Sequence, residues 1–275
     1  MNKLPTPFYQ DEWVTVYHGD CRDFLPLLSQ VDITFTDPPY GNSTHDGALT
    51  LRSPGTTGER GWERAETPVG KRSRDVARNL VDFSSIPFAE LLPILAAAGS
   101  ITRRWLIAFM ERRYIEPLEV WSETDEAAPL RFVREGIYYK PNGAPQVSGD
   151  RPAQGWESIA IMHRRKNGRM RWNGGGHDAV YIENKPHAAK HPTQKPERLV
   201  AKMLTQFTDP GELVLDLFAG SGVTGVVCKQ LRRRCILIER DIKHCRTAAE
   251  WLVGTQPMIE ALVQPTMKQT MLEAA

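Results

Sequence analysis

Four consecutive residues, Asp37-Pro38-Pro39-Tyr40, close the apolar run Asp32-Ile-Thr-Phe-Thr36, and their types restrict the chemistry they can do. Two adjacent prolines lock φ and remove two backbone donors. The segment therefore offers a ligand a carboxylate, carbonyl oxygens and an aromatic ring. That set suits an exocyclic amine on a nucleobase, a poor nucleophile because its lone pair is delocalised into the ring. Two acceptors gripping its two N–H bonds, the Asp37 carboxylate and the Pro38 carbonyl, would draw the nitrogen toward a tetrahedral, nucleophilic geometry. Tyr40 would give a flat face to a base taken out of its stack, a contact typically worth about 1–3 kcal/mol. The other reading is a strand-ending turn in which the prolines are rigid punctuation and Tyr40 belongs to the core.

A second candidate lies far along the chain. Leu213 to Phe218 runs into Ala219-Gly-Ser-Gly-Val-Thr-Gly225, so Gly220, Gly222 and Gly225 fit G-x-G-x-x-G between a strand and a helix. Asp216 precedes this loop, close enough to meet the amino group of a bound amino-acid moiety. Glu239 ends the next strand, where a carboxylate accepts hydrogen bonds from ribose hydroxyls. The loop alone would serve a nicotinamide dehydrogenase equally well, or merely pack a helix on a strand. Its position argues against the dehydrogenase: only about fifty residues follow Gly225, whereas a dinucleotide fold opens on its fingerprint. The rest of the sheet must come from sequence before the loop, which makes a permuted nucleotide fold.

The elements that position these groups are short apolar runs alternating with helical patterns, the mark of a parallel sheet covered on both faces. Strands are expected at 13–17, 33–36, 105–110, 132–139, 158–162, 213–217 and 235–239, and helices at 23–28, 88–98, 197–207, 224–231 and 242–252. Pro87 and Pro196 fall at helix starts, where a missing N–H costs nothing, with Ser85 or Thr193 as caps. Two stretches break the pattern as insertions in one domain spanning 1–275. Residues 41–79 carry Arg52, Arg72 and Arg74 among interspersed acids. Residues 164–190 are more one-sidedly basic, with Arg164, Arg165, Lys166, Arg169 and Arg171, and with Trp172 and Tyr181 interleaved.

Composition narrows the class without naming it. Hydrophobic residues make up 41% of the 275, enough for a sizeable core, and 35 basic against 33 acidic residues leave a net charge of +2. The overall balance thus announces no polyanionic partner, and any nucleic-acid argument must be local. No apolar run reaches the roughly 18 residues that span a bilayer, and the first ten residues lack a signal peptide's apolar stretch, so the cytoplasm is expected. Cys21, Cys228, Cys235 and Cys245 form no C-x-x-C pair and read as reduced core thiols rather than a zinc site.

With these residues in view, the chain resembles the amino-methyltransferases of DNA in their β-type order, in which the catalytic tetrapeptide precedes the cofactor loop. The similarity runs over roughly residues 13 to 252. Asp37 to Tyr40 is similar to the family's catalytic motif. Asp216-Leu-Phe218-Ala219-Gly220-Ser221-Gly222 is similar to its cofactor motif, with Glu239 and Arg240 in the ribose-binding place. His191-Pro-Thr193-Gln-Lys195-Pro196 resembles the segment that holds the methionine end of the cofactor, through Thr193 and Lys195. Tyr17-His-Gly-Asp20 resembles the segment whose acid lies near the cofactor adenine.

The resemblance implies a three-layer αβα, Rossmann-like methyltransferase fold, circularly permuted, with a seven-stranded mixed sheet and one antiparallel strand at its edge. It implies S-adenosylmethionine as cofactor, no metal, and direct in-line methyl transfer onto double-stranded DNA without a covalent enzyme intermediate. Asp at the first position of the tetrapeptide favours adenine N6 over cytosine N4. The resemblance also admits a homodimer and a restriction endonuclease as partners. The target-recognising segment is short, so the expectation divides the work: 164–190 contacts phosphates while 41–79, beside Tyr40, closes over the flipped base. From a different class, a DNA-binding protein without activity is the alternative.

Overall fold

Strand β4 (Trp105–Met110) shows why the sheet lies at the centre of the fold. All six of its residues are buried. Trp105, Ile107 and Phe109 join one apolar cluster, whereas Leu106, Ala108 and Met110 join the other. Side chains alternate across a strand, so a strand apolar at every position must be covered on both faces. The structure, a computed structural model, describes residues 3–39, 86–143, 152–165, 170–186 and 194–258.

Among the described residues the strands are β1 (Tyr9–Gln10), β2 (Val14–His18), β3 (Ile33–Thr36), β4, β5 (Leu130–Tyr139), β6 (Trp156–Arg164), β7 (Val180–Ile182), β8 (Leu213–Asp216) and β9 (Arg234–Glu239). They form one nine-stranded sheet in the order β1-β2-β9-β8-β3-β4-β6-β5-β7. Helices α4 (Glu197–Phe207), α5 (Val223–Gln230) and α6 (Ile242–Val253) pack on one face. On the other lie α1 (Cys21–Phe24), α2 (Phe88–Ile101) and α3 (Ile115–Thr124). The three-layer αβα arrangement is therefore present, and all four cysteines are free and buried within it.

The expected count of seven strands is corrected to nine. The two additional strands, β1 and β7, are only two and three residues long, too short to carry a periodic signal. Of the antiparallel strands, one lies at the edge as expected and a second lies inside the sheet. β6 is antiparallel to both β4 and β5 and lies inside the sheet, while β1 is antiparallel to β2 at the far edge. The additional helix α3 buries only Ile115, Leu118 and Ser122 between exposed acids, so its apolar face is too narrow to show in the sequence. Caps were expected from Ser85 or Thr193. Pro87 and Pro196 themselves occupy the N-cap positions of α2 and α4, with no side-chain cap bond, and Ser85 and Thr193 lie outside the described residues.

Candidate active site

β2, β9, β8, β3 and β4 run parallel and therefore finish at one end of the sheet, where both sequence motifs lie. β3 and β8 are neighbours, and their last residues are tied together. The Thr36 hydroxyl donates to Asp216 Oδ1 at 3.0 Å and accepts from the Leu217 N–H at 3.3 Å. Two segments 180 positions apart therefore meet, and Asp37 follows Thr36 directly into the site.

Asp37 is held by Lys195, whose ammonium donates to Oδ2 at 2.5 Å. Lys195 precedes α4 and is almost fully buried. It also lies 3.1 Å from Glu157 Oε2 and 4.8 Å from the centre of the Phe109 ring. Glu157 in turn pairs with Lys140 at 2.7 Å. Burial opposes ionisation of Glu157, but the two lysines outweigh it and hold its carboxyl at about 2. The result is a row of alternating charge along the ends of β5, β6 and β3. At the start of the next chain segment, the Pro39 carbonyl accepts the Ile86 N–H at 3.0 Å, which ties the segment after β3 to the entrance of α2.

Asp216 is turned inward. Its Oδ1 accepts from Thr36 and from the Phe218 N–H at 3.1 Å, and its Oδ2 accepts from Thr224 at 2.6 Å. Burial pushes its carboxyl up to about 6, against the lowering effect of these donors, and the neighbouring Asp37 charge adds to the rise. Through these contacts Asp216 also shapes the loop from within. Gly222 adopts a left-handed φ of 83°, and a Cβ there would meet the Ala248 Cβ at 2.6 Å. A Cβ on Gly225 would strike Leu237 Cδ1 at 2.7 Å, so glycine lets α5 sit against β9. Gly220 faces open space, with nothing within 4 Å of a built Cβ. Ala219 and Ser221 are buried and Phe218 is half-buried.

The Glu239 carboxylate accepts from the Gly220 and Asp241 N–H groups, each at 2.8 Å. His244 Nδ1 lies 3.8 Å from Glu239 Oε1, and the neighbouring Glu239 carboxylate raises its pKa. Asp20 caps α1 through the Arg22 N–H, and the Arg22 guanidinium holds its carboxyl at about 2. β2 and β9 pair His18 with Glu239, and His18 Nε2 lies 3.1 Å from the Arg240 carbonyl. Asp20, Glu239, Arg240 and the glycine loop are therefore side by side. Two carboxylates for an adenosine, an ammonium for a carboxylate and an open glycine between them make a donor set that fits S-adenosylmethionine.

The basic segment is placed elsewhere. Because β6 runs against its neighbours, Arg164 and Arg165 sit at the opposite end of the sheet from Asp37. Arg164 donates to the Gly99 and Ser100 carbonyls at 2.6 and 2.7 Å, and Arg165 donates to the Ser122 carbonyl. Arg171 pairs with Asp209 at 2.5 Å, and its carbonyl accepts from Trp105. Trp172 packs on Phe207 at 4.7 Å, and Tyr181 is buried with its hydroxyl on Gln206. These residues hold helices to the sheet. Tyr40, Arg52, Arg72, Arg74, Lys166, Arg169 and Thr193 lie outside the described residues.

Thr36, Thr224, Lys140 and Glu157 were not picked out from the sequence. The only available signal was a charged residue, Glu157, opening the apolar run that continues to Met162.

A family model described as DNA methylase, for the N6/N4 methyltransferases, matches residues 31–250. The chain belongs to the DNA methylase family. Among curated relatives, the type II methyltransferase M.HinfI of Haemophilus influenzae is 26% identical over 88% of this chain and 69% of its own. The type II methyltransferase M2.DpnII of Streptococcus pneumoniae is 24% identical over 90% and 93%. Among solved structures, the complex of M1.HpyAVI with SAM has a TM-score of 0.60 at 22% identity, covering 87% of this chain and 99% of that one. The cytosine-N4-specific PvuII DNA methyltransferase has a TM-score of 0.62 at 13% identity, covering 94% and 98%. These structures share the DNA methylase's fold, a mixed sheet between helices.

Proposed function

We propose that this DNA methylase transfers a methyl group from S-adenosylmethionine to the exocyclic N6 of adenine, at a specific sequence in double-stranded DNA. The observation that carries the reading is Asp37: a carboxylate at a strand end, held by an ammonium at 2.5 Å and set beside the glycine loop. Asp20, Glu239, Arg240 and the loop from Phe218 to Gly222 would hold the adenosine, and Lys195 with Thr193 the methionine end. When bound, the cofactor supplies an electrophilic methyl group, whose bond to sulfur breaks with the electron pair left on sulfur.

Asp37 accepts one N–H of the flipped amine and the Pro38 carbonyl accepts the other, which frees the nitrogen lone pair for in-line attack. The proton released as the nitrogen is methylated passes to the Asp37 carboxylate. Tyr40 stacks on the base. The order of the segments, tetrapeptide before glycine loop, makes the fold a circular permutation of the Rossmann-like methyltransferase within one domain spanning 1–275. Residues 41–79 close over the base. The proposal includes a cytoplasmic location, a homodimer, and a restriction endonuclease reading the same sequence.

A second reading, methylation of cytosine N4, is favoured by the likeness in fold to the cytosine-N4-specific PvuII enzyme. Incubating the protein with methyl-labelled cofactor and mixed-sequence DNA, then separating the nucleosides, decides between them. Label in N6-methyladenine is expected, and label in N4-methylcytosine would transfer the assignment. Label in no nucleoside, with DNA affinity retained in both the natural protein and Asp37→Ala, would establish a binding protein without activity.

A further inference from the structure

Glu157 is a half-buried carboxylate with no part in the chemistry described above. β6 runs against β4 and β5, so it begins where they finish; Glu157 lies opposite Tyr138 on β5, and Ser158 opposite Met110 on β4. Removing an ionised carboxylate from water costs several kcal/mol unless cations compensate. Here Lys140 at 2.7 Å and Lys195 at 3.1 Å do so. Lys195 also reaches Asp37, so the groups form a row: Lys140, Glu157, Lys195, Asp37.

We propose that Glu157 is a positioning residue for methyl transfer: it holds the Lys195 ammonium between two carboxylates and thereby fixes Asp37 where an amine acceptor must stand. This rests on the reading of Asp37 as that acceptor. A lysine has a flexible four-carbon stem and loses rotamer entropy when fixed. An ion pair with Asp37 alone would leave the ammonium free to swing. Glu157 and the face of Phe109, 4.8 Å away, give it two further fixed contacts from β6 and β4. Packing alone gives no reason for the charges, since an apolar group of similar volume stabilises a buried position as well or better. The row ends at the catalytic aspartate, and that is where its charge is used.

The full chain tests this with Glu157→Gln and Glu157→Asp. Single-turnover transfer to DNA is expected to slow on the order of 10²-fold in Glu157→Gln, the usual consequence of a misplacement near 1 Å. Glu157→Asp should recover most of that loss. Cofactor affinity, measured by calorimetry, should fall by far less than the rate, because Lys195 keeps its charge and its pairing with Asp37. In the cofactor-free protein, the Lys195 ammonium can be followed by nitrogen-15 NMR and assigned with Lys195→Met. The groups around Lys195 that carry or can carry charge are Asp37, Glu157, Lys140, Tyr138 and Lys185. With Glu157 neutralised, Lys195 loses one of its two carboxylates, so it should give up its proton at lower pH.

A Glu157→Gln rate within twofold of natural overturns the proposal. So does a rate loss matched by an equal loss of cofactor affinity, or a Lys195 titration that does not move. Should Glu157→Gln fail to fold, Lys140→Met removes the other cation on Glu157. Protonation of Glu157 would then begin at higher pH, and the acid limb of the rate profile should rise with it; an unmoved limb again overturns the proposal. If the natural protein methylates no DNA, the reading of Asp37 has failed. The Lys195 titration then still shows separately whether Glu157 holds the ammonium.

Discussion

Cations at the two ends of the sheet meet different sets of partners. At the catalytic end the lysines meet carboxylates: Lys195 between Asp37 and Glu157, and Lys140 on Glu157. At the other end Arg104 and Arg171 also meet carboxylates, Glu212 and Asp209. Arg164 and Arg165 meet backbone carbonyls instead, those of Gly99 and Ser100 at the C-terminus of α2 and of Ser122 in the last turn of α3. A guanidinium on the last carbonyls of a helix is a cap. An ammonium between carboxylates fixes ionisation state and position. Basic character alone therefore does not mark the nucleic-acid face; what each cation touches does.

The largest expected effect comes from removing the residue at which the catalytic row ends. Asp37→Ala should lower the methyl-transfer rate on the order of 10³-fold, as for loss of a group aimed at the reacting centre. Calorimetry should show cofactor affinity largely kept. A variant with more than a tenth of natural activity would remove Asp37 from the mechanism and dissolve the contrast between the two ends.

Next comes Lys195→Met, expected to slow transfer on the order of 10²-fold and to weaken cofactor binding as well, since the ammonium is also proposed to hold the methionine carboxylate. Unchanged cofactor affinity would assign Lys195 to Asp37 alone.

Asp216 sharpens the comparison from within the catalytic end, because hydroxyls and an N–H hold it where an ammonium holds Asp37. Its carboxyl is raised to about 6 by burial, above its ordinary unfolded value, so the folded state prefers the protonated form. Its contribution to stability is complete below about pH 4 and is lost as pH rises through about 6. The contribution is on the order of 2–3 kcal/mol. Thermal melts at pH 5 and pH 8 should show Asp216→Asn reducing the pH dependence in that window. An equal dependence in both proteins would mean that Asp216 is ionised throughout. Below pH 4 the opposite sign takes over: Glu157 and Asp20, both held at about 2 by their cations, lose their pairings on protonation.

The smallest effect belongs to the far end. Arg164→Ala removes the cap on α2 and should cost about 1–2 kcal/mol of stability, read by urea denaturation, with DNA affinity within twofold of natural. A steep loss of DNA affinity, together with a shallower dependence on salt, would return Arg164 to the DNA interface.

Much of the frame was legible in the sequence. β3, β4 and α4 lie at the residues read for them, and the other expected strands and helices differ by a residue or a few at their ends. Both motifs were legible because their residue types are chemically restrictive. What the sequence hid was direction. Nothing in Trp156 to Arg164 announces that β6 runs backwards, yet that reversal alone brings Glu157 to the catalytic end and carries Arg164 and Arg165 away from it. Thr36 and Thr224 escaped for a related reason: a buried threonine in a strand or helix looks like filler until its partner, Asp216, is known.

The hydrogen bond between the Pro39 carbonyl and the Ile86 N–H has a consequence for how such a protein can change over generations. The two residues clamp the base of whatever is spliced between them, so the sheet never registers its length. Closing a longer span there adds only about 0.6 kcal/mol per doubling. A lineage can lengthen or shorten the span between them while inheriting the same sheet end and the same glycine loop.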